Sequence, residues 1–325
     1  MKKYLKKILI AVSVVLLMIL LAVGYIKNFL PDVGDPPYLT IEYTPERVAR
    51  GEYLANHVTV CMDCHSQRDW TLYSGPMSKD GIGAGGEVFN REMGFPGIFY
   101  APNITPFKTN MISDGELMRS IASGVDYKGR ALFPLMAYHR YGQMDVEDLY
   151  SIIAYLRKNV KSVEKVVPER EIDFPVNILI NTMPKRAAYS KIPSQKNIVK
   201  YGEYMANAAG CVDCHSQLDK GTVVPGTEFG GGMAFKFPKG ILRSPNITPD
   251  NETGIGSWTK EAFNARFKMY AVAGYVPEKM IPGEPNTPMP WTMYAGMKTS
   301  DLEAIYAYLQ SIKPIKNKVI IREKQ

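Results

Sequence analysis

Two short motifs contain every cysteine of this 325-residue chain and half of its four histidines: CMDCH at residues 61–65 and CVDCH at residues 211–215. Cysteines three residues apart share one face of a helix, so both thiols can bond the two vinyl groups of one porphyrin. A histidine that follows directly can then bind the iron, and C-x-x-C-H is the attachment pattern of c-type haem. The predicted haem-binding residues are Cys61, Cys64, His65, Cys211, Cys214 and His215.

Other uses of paired cysteines fit this sequence less well. A thioredoxin-like pair needs no histidine and lies next to a βαβ pattern, which is absent here. A four-cysteine zinc site usually spaces its two pairs by about 12–20 residues, far fewer than separate residues 64 and 211. Disulfides would not require a histidine directly after both pairs. The sequence therefore predicts two covalently bound haem c groups.

The two motifs lie in two copies of a longer pattern. RGEYLAN at residues 50–56 recurs as YGEYMAN at residues 201–207, and APNITP at residues 101–106 recurs as SPNITP at residues 244–249. MDVEDLYSIIAYLRK at 144–158 recurs as MKTSDLEAIYAYLQS at 297–311. The offsets of 151, 143 and 153 residues are too long for a solenoid repeat. The pattern indicates tandem duplication of a whole domain.

Local patterns predict a mainly α fold with long loops. Thr44 before Pro45 is typical of a helix N-terminus, and Ser113 with Glu116 forms a capping-box pattern. The last helix of each copy carries apolar residues at i, i+3, i+4 and i+7. These residues are Leu149, Ile152, Ile153 and Leu156 in the first copy, and Leu302, Ile305, Tyr306 and Leu309 in the second. Glycine clusters at 83–86 and 230–232 indicate irregular loops.

Each haem iron needs a second axial ligand, and methionine is a common partner of histidine. The 153-residue offset of the last helices pairs Met136 with Met289, and both methionines follow a proline by one or two residues. We predict that these two methionines are the distal ligands. His139 stays open as a rival at the first haem, whereas His57 is predicted to lie at a haem or solvent edge. The tyrosines and tryptophan nearby are predicted to pack in the pockets: Tyr138, Tyr141, Trp291 and Tyr294.

The formal charge of +7 comes largely from the N-terminus. Residues 1–30 contain five lysines and no acid, which leaves 34 basic against 32 acidic residues elsewhere. No basic stripe interleaved with aromatic residues follows, so nucleic acid is not an expected partner. The uncharged segment 8–26 has about the length of one membrane span, roughly 20 residues. A cleaved signal peptide is the alternative, but its apolar region is usually shorter, about 7–15 residues.

The duplication and the apolar segment together define the predicted organisation. Residues 1–30 form a cytoplasmic lysine cluster and a single transmembrane anchor, residues 31–159 a first domain, residues 160–197 a linker packed across the domains, and residues 198–325 a second domain. Lysines before the span keep the N-terminus in the cytoplasm. Both domains are then expected on the periplasmic side of a bacterial inner membrane.

From about residue 40 to 315 the sequence resembles the cytochrome c family, in its tandem Met/His class-I form. The resemblance rests on the G-E-Y-x-A-N segments before C-x-D-C-H, on the P-N-I-T-P segments, and on the methionine before the last helix. It is similar to membrane-anchored cytochrome subunits of periplasmic alcohol-type dehydrogenases, including their linker (FPVNILIN at 174–181). Those subunits typically carry three haems, and they usually have proline where this chain has Ala137.

The expected function is an electron carrier and not an enzyme. It would relay single electrons from a periplasmic or membrane donor, such as a dehydrogenase or quinol-oxidising complex, to an oxidase or soluble cytochrome. A dihaem peroxidase, a thiosulfate-dehydrogenase-type oxidoreductase and a cytochrome subunit of a membrane-bound dehydrogenase are the alternatives. A peroxidase needs one iron with a displaceable ligand, whereas both copies here offer an equivalent methionine.

Overall fold

The computed structural model describes residues 2–219 and 221–324. Met1, Lys220 and Gln325, which fall in the predicted anchor and second domain, lie outside the described residues. The helices are Lys2–Phe29 (α1), Pro45–Tyr53 (α2), Cys61–Cys64 (α3), Pro106–Thr109 (α4), Asp114–Ser123 (α5), Tyr138–Tyr141 (α6), Val146–Lys158 (α7), Val176–Leu179 (α8), Ile198–Ala208 (α9), Cys211–Cys214 (α10), Lys260–Lys268 (α11), Trp291–Tyr294 (α12) and Thr299–Ser311 (α13). One π-helical turn covers Leu54–Val58, and 3₁₀ turns cover Arg91–Met93 and Ile180–Thr182.

The N-terminal helix α1 has the length and composition of a membrane span. Its most apolar 18-residue window has a mean hydropathy of 2.9, and no residue in that window is buried against the rest of the chain. A helix of 28 residues is about 42 Å long at 1.5 Å per residue, more than the roughly 30 Å hydrocarbon core of a bilayer. The helix is a candidate membrane anchor.

The predicted helix boundaries are confirmed where capping residues define them. Thr44 accepts a hydrogen bond from the Arg47 backbone N–H and caps α2, with Pro45 as its first residue. Ser113 and Glu116 form a reciprocal capping box at the start of α5. The apolar stripe of α7 is buried, and in α13 Leu302, Ile305 and Leu309 are buried while Tyr306 is half-exposed.

The same arrangement of elements occurs in an N-terminal half (residues 41–172) and a C-terminal half (residues 198–219 and 221–324). In each half the first long helix packs against the last one: α2 against α7, and α9 against α13. Glycine allows the close crossing. A Cβ added at Gly51 would lie 1.8 Å from the Ser151 carbonyl oxygen, and one at Gly202 would lie 1.8 Å from that of Ala304. These glycines are the second residues of the duplicated RGEY and YGEY segments.

Short antiparallel strands, which the sequence patterns did not predict, add to the helical fold. The eight strands are Val88–Phe89 (β1), Gly97–Tyr100 (β2), Glu171–Ile172 (β3), Leu218–Asp219 (β4), Thr222–Val223 (β5), Ala234–Phe237 (β6), Gly240–Arg243 (β7) and Arg322–Lys324 (β8). Strands β1, β2 and β3 form one sheet, in which Phe89 pairs with Phe99 and Ile98 with Glu171. Strands β6, β7 and β8 repeat this order in the C-terminal half. In both sheets the chain after the last helix returns to the sheet edge.

The segment between the halves packs along the N-terminal half. The Ala188 backbone N–H donates to the Gly142 carbonyl at 2.8 Å, and the Ile192 N–H donates to the Asp145 carboxylate at 2.8 Å. Its helix α8 contacts α1. These contacts link the candidate anchor, the connecting segment and the N-terminal half.

The two halves contact each other through a reciprocal pair of hydrogen bonds. Tyr53 of the N-terminal half donates to Asp301 of the C-terminal half at 2.5 Å. Tyr204, the equivalent of Tyr53, donates to Asp148, the equivalent of Asp301, at 2.7 Å. Both carboxylates belong to residues no more than 5% exposed. Hydrogen bonds to buried charged groups are among the stronger ones in proteins, about 1.5–3 kcal/mol each.

Alanine at either crossing glycine is expected to destabilise its half. Because the atom that the new methyl group would meet is backbone, the two helices must move apart, and overpacking of this kind costs about 1–3 kcal/mol. We expect Gly51→Ala and Gly202→Ala each to lower the free energy of unfolding by that amount, measured by denaturant titration in detergent. Glu52→Ala, at the exposed neighbour of Gly51, is the control. Equal stability of Gly51→Ala and Glu52→Ala would contradict the prediction.

Candidate functional site

Each C-x-x-C-H motif forms one helical turn that begins after a left-handed residue. Val60 precedes α3 with φ 46°, and Gly210 precedes α10 with φ 67°. This region of φ favours glycine. The β-branched Val60 before the first motif is therefore in a strained conformation, whereas Gly210 before the second motif is not. None of the four cysteines, all within the described residues, forms a disulfide. The turns leave both thiol pairs free and three residues apart, as the spacing predicts.

The histidine of each motif is held by a backbone carbonyl from the duplicated P-N-I-T-P segment. His65 Nδ1 lies 2.8 Å from the Pro102 carbonyl oxygen, and His215 Nδ1 lies 2.8 Å from that of Pro245. A carbonyl only accepts, so the proton is on Nδ1 and the Nε2 lone pair is left available. Burial lowers the pKa of both imidazoles, which favours the neutral form that binds metals.

The asparagine of each P-N-I-T-P segment has a structural role. Asn103 accepts from the Thr105 N–H and donates to the Val163 and Lys165 carbonyls. Asn246 repeats this pattern with Thr248 and with the Ile315 carbonyl. These amide groups are therefore already engaged in hydrogen bonds within the protein. They join the loop that holds the histidine to the chain that follows the last helix.

Met136 and Met289 lie in loops with the same local turn. The Tyr138 N–H donates to the Met136 carbonyl at 2.7 Å, and the Trp291 N–H donates to the Met289 carbonyl at 2.8 Å. The central residue of each turn has inverse γ-turn dihedrals: φ −73° and ψ 41° for Ala137, φ −81° and ψ 67° for Pro290. Alanine at position 137 thus adopts the backbone conformation found at the proline of the other half. Both methionines are half-buried against the core.

A tyrosine just after each methionine ties the loop to the chain before the cysteine motif. Tyr141 Oη donates to the Thr59 carbonyl at 3.0 Å, and Tyr294 Oη donates to the Ala209 carbonyl at 2.6 Å. Thr59 and Ala209 each precede the first cysteine of their motif by two residues. Burial raises the pKa of both phenols well above the usual range, so both remain donors. The geometry brings the methionine loop and the cysteine motif of each half together.

His139 and Arg140 point across to the second motif. His139 Nε2 lies 3.5 Å from the Asp213 carboxylate, and Arg140 donates to the same carboxylate and, at 2.9 Å, to the Asn207 side chain. Asp213 lies between Cys211 and Cys214. The contact of His139 with Asp213 favours Met136 over His139 as the ligand candidate in the N-terminal half.

His57 lies half-buried at the contact between the halves. Its Nδ1 is 2.9 Å from the Met293 carbonyl oxygen, and its ring leaves no space for a side chain at Gly296, where an added Cβ would lie 2.1 Å from Nδ1.

The second of these two halves matches a known family in sequence. Residues 199–313 match the cytochrome c family. The chain carries a cytochrome c domain. Such a domain implies covalently bound haem c, and electron transport is the function that goes with the family.

Several relatives of this chain are cytochrome subunits of dehydrogenases. It is 28% identical over 227 residues to the fructose dehydrogenase cytochrome subunit of Gluconobacter japonicus, covering 66% of this chain and 43% of the relative. It is 35% identical over 130 residues to the gluconate 2-dehydrogenase cytochrome c subunit of Pantoea cypripedii, covering 40% and 26%. It is 33% identical over 122 residues to the cytochrome c subunit of the quinone alcohol dehydrogenase of Gluconobacter oxydans (strain 621H), covering 36% and 22%. The chain thus spans less than half the length of each.

Sequence reasoning missed the polar residues that support this site from a distance. Asp63 is paired with Arg68, whose Nη1 lies 3.0 Å from the carboxylate, and both side chains are at most 6% exposed. Burial raises the pKa of Asp63 to about 6. The one signal in the sequence was the aspartate at the same place in both motifs, but its partners differ: Arg68 from the same half for Asp63, and Arg140 from the opposite half for Asp213.

Removing either loop-holding hydroxyl is expected to destabilise the cytochrome. Tyr141→Phe leaves the Thr59 carbonyl without its donor and Tyr294→Phe leaves that of Ala209, each at a cost of about 1–2 kcal/mol. Thermal unfolding followed by circular dichroism measures the loss. Tyr306→Phe removes a similar but exposed hydrogen bond, to the Trp258 carbonyl, and is the control with an effect within about 0.5 kcal/mol. Three equal effects would contradict a special role for the buried pair.

Proposed function

We propose that this protein is a membrane-anchored dihaem cytochrome c that relays single electrons. In this proposal each half is one cytochrome c domain with one covalently bound haem. His65 and Met136 are the axial ligands in the first domain, His215 and Met289 in the second, and the thioethers form at Cys61, Cys64, Cys211 and Cys214. When bound, the haem iron takes up and releases one electron at a time.

The observation that carries the proposal is the repeated geometry of the two halves. Both have free cysteines three residues apart, an imidazole whose Nδ1 is held by a proline carbonyl, and a methionine in an inverse γ-turn. The alignment with the fructose dehydrogenase subunit supports the first domain, because 227 residues extend well beyond residues 199–313. The proposed domain bounds are 31–159 and 198–325, joined by 160–197.

A buried tyrosine hydroxyl next to Met136 also fits a bound haem, because it has no hydrogen-bond partner among the described residues. Tyr138 is 1% exposed, and within residues 2–219 and 221–324 its hydroxyl has no hydrogen-bond partner. A buried unpaired hydroxyl costs about 1–3 kcal/mol, so native proteins rarely leave one. Tyr138 follows Met136 by two residues, and a haem propionate is an acceptor of the right chemistry for it.

The role of the protein residues in this function is to hold the ligands and keep water out. The carbonyls of Pro102 and Pro245 fix the tautomer and orientation of the histidines. A methionine in a well-held loop raises the potential of a histidine-bound iron. Two held axial ligands also leave no open position for substrate, which favours a carrier over the peroxidase and thiosulfate-oxidising alternatives.

The donor in this proposal is a dehydrogenase at the outer face of the membrane. Three relatives are cytochrome subunits of fructose, gluconate and alcohol dehydrogenases. With α1 as a retained single span and its lysines in the cytoplasm, both haem domains lie in the periplasm. Anchoring raises the effective concentration of the cytochrome near membrane-bound donors and acceptors without new contacts. An oxidase or a soluble cytochrome would then take the electrons.

The ligand set is tested by haem content and by substitution. The purified protein is expected to contain two haems c per chain, measured from the pyridine haemochrome spectrum of denatured protein. Met136→Ala and Met289→Ala should each remove about half of the iron–sulfur charge-transfer absorption, because each removes one of two Met-bound irons.

Two exposed methionines, Met111 and Met269, provide matched controls, and their alanine variants should leave the absorption unchanged. His139→Ala should do the same. One haem per chain would contradict the dihaem proposal. Loss of a native axial ligand from the first haem in His139→Ala, but not in Met136→Ala, would reverse the ligand assignment.

The donor is tested by substrate-driven reduction in membranes. Membranes with and without this chain are given fructose, gluconate or ethanol under anaerobic conditions, and reduction of c-type haem is followed by absorption. We expect one such substrate to reduce haem only where the chain is present, and the dehydrogenase to co-purify with it. Reduction by added quinol but by no dehydrogenase substrate would instead indicate a quinol-oxidising donor.

A further inference from the structure

A turn of the N-terminal half reaches the methionine loop of the C-terminal half. The turn covers residues 70–75, soon after the first C-x-x-C-H motif, and the loop covers residues 285–291. Nearby, the Met280 N–H donates to the Thr71 carbonyl and the Tyr73 N–H to the Glu278 carbonyl, both at 2.7 Å. The two segments are therefore joined by backbone as well as side-chain hydrogen bonds.

Ser74 makes the contact with Met289 itself. Its hydroxyl donates to the Met289 carbonyl at 2.5 Å and accepts from the Trp291 N–H at 3.2 Å. These are the same two backbone groups that close the inverse γ-turn around Pro290. One hydroxyl thus bridges both sides of the turn that carries the methionine. Ser74 is 1% exposed, so water does not compete for these bonds.

The backbone of Ser74 is held in a conformation that serine rarely adopts. Its φ is 66°, in the left-handed region, which is unfavourable for residues other than glycine. The Asn286 side chain accepts from the Ser74 N–H at 3.0 Å and donates to the Leu72 carbonyl at 2.9 Å. A strained residue that its neighbours hold in place so firmly is typical of functional sites.

The turn is in turn tied to the first cysteine motif. Arg68 donates to the Ser74 carbonyl from Nη2 and to the Gly75 carbonyl from Nε, both at 2.8 Å. The same guanidinium lies 3.0 Å from Asp63, between Cys61 and Cys64. A continuous polar path therefore runs from the first motif to the backbone of Met289.

The loop that carries Met136 has no equivalent of this pair of hydrogen bonds from a side-chain hydroxyl. The turn after the second motif is four residues shorter, because four residues separate Leu218 from its partner Val223 whereas eight separate Arg68 from its partner Met77. The second copy therefore has no residue equivalent to Ser74. Across the described part of the chain, the hydrogen bond accepted by the Met136 carbonyl comes from the Tyr138 backbone, and no side chain donates to it. A side-chain hydroxyl therefore holds the backbone of Met289 but not that of Met136.

We propose that Ser74 is a positioning residue for Met289, so that the N-terminal half holds the distal ligand of the haem in the C-terminal half. This inference rests on the proposed function, in which Met289 binds iron. It makes the strength of the iron–sulfur bond in one domain depend on a single hydroxyl from the other domain.

The test measures how readily added imidazole displaces Met289 from the full-length protein. In a Met136→Ala background the remaining iron–sulfur absorption belongs to Met289 alone. Adding Ser74→Ala is expected to lower the imidazole concentration for half-displacement on the order of tenfold, the change expected when about one net hydrogen bond is lost. The midpoint potential of the same haem should fall, since the methionine binds less firmly.

Two further variants separate the hydroxyl from general effects. Ser74→Gly removes the hydroxyl but suits the positive φ, so it should behave as Ser74→Ala does and decides the matter if the alanine variant fails to assemble. Thr71→Ala alters an exposed side chain of the same turn, whose hydroxyl bonds only Asp69, and should match the background protein. Half-displacement of both Ser74 variants at the background concentration would overturn the inference. Absence of iron–sulfur absorption in the Met136→Ala protein itself would overturn the proposed function instead.

Discussion

Two tyrosine hydroxyls that donate to buried aspartates of the opposite half hold the described chain in one arrangement. Tyr53 with Asp301 and Tyr204 with Asp148 are equivalent pairs, so the contact is reciprocal, as in a two-fold symmetric dimer. Each of the two carboxylates is also bonded within its own half, to Tyr201 or to Arg50. A buried carboxylate needs all of these donors, because leaving it partly unpaired costs several kcal/mol. Separating the two halves would therefore cost several kcal/mol of free energy.

In this arrangement the residues after Met136 contact the second cysteine motif, and the turn at residues 70–75 contacts the loop that carries Met289. Both contacts join one half to the other close to a cysteine motif or a methionine loop, but they use different residues. Arg140 follows Met136 and pairs with Asp213 of the second motif, whereas Ser74 follows the first motif and bonds the backbone at Met289. The two halves share a scaffold but differ in the side chains that make these contacts. Met293 is at the position equivalent to Arg140, and the turn after the second motif is four residues shorter than the turn that contains Ser74, so the sequence offers no equivalent of either side chain.

Backbone carbonyl groups accept many of the hydrogen bonds that hold the site together. Proline carbonyls hold both histidines, and tyrosine hydroxyls bond the carbonyls that precede both motifs. Carbonyl positions depend on the path of the chain and tolerate many side chains. Ala137 illustrates this tolerance, because it adopts the turn that Pro290 adopts in the other half. Side chains at the surface of such a scaffold can change while the backbone groups that hold the histidines stay in place.

The sequence by itself determined the features that depend on local spacing. Cysteines three residues apart, the cap at Thr44, the capping box at Ser113 and the buried stripe of α7 all follow from the geometry of one helix, and the structure repeats them. Duplicated segments also predicted which methionines occupy equivalent loops. The assignment of those methionines as iron ligands remains a proposal.

Only the tertiary structure decided which residues meet across the chain. The three-stranded sheets form because the chain after each last helix returns to a distant strand, and strands of two to four residues leave little periodic signal. His139 could not be placed from its sequence neighbours, because its contact with Asp213 depends on how the halves pack. Ser74 was missed for the same reason: its partner is 215 residues away. Local spacing determines the motif, but the packing of the two halves determines which side chains contact the loops around it.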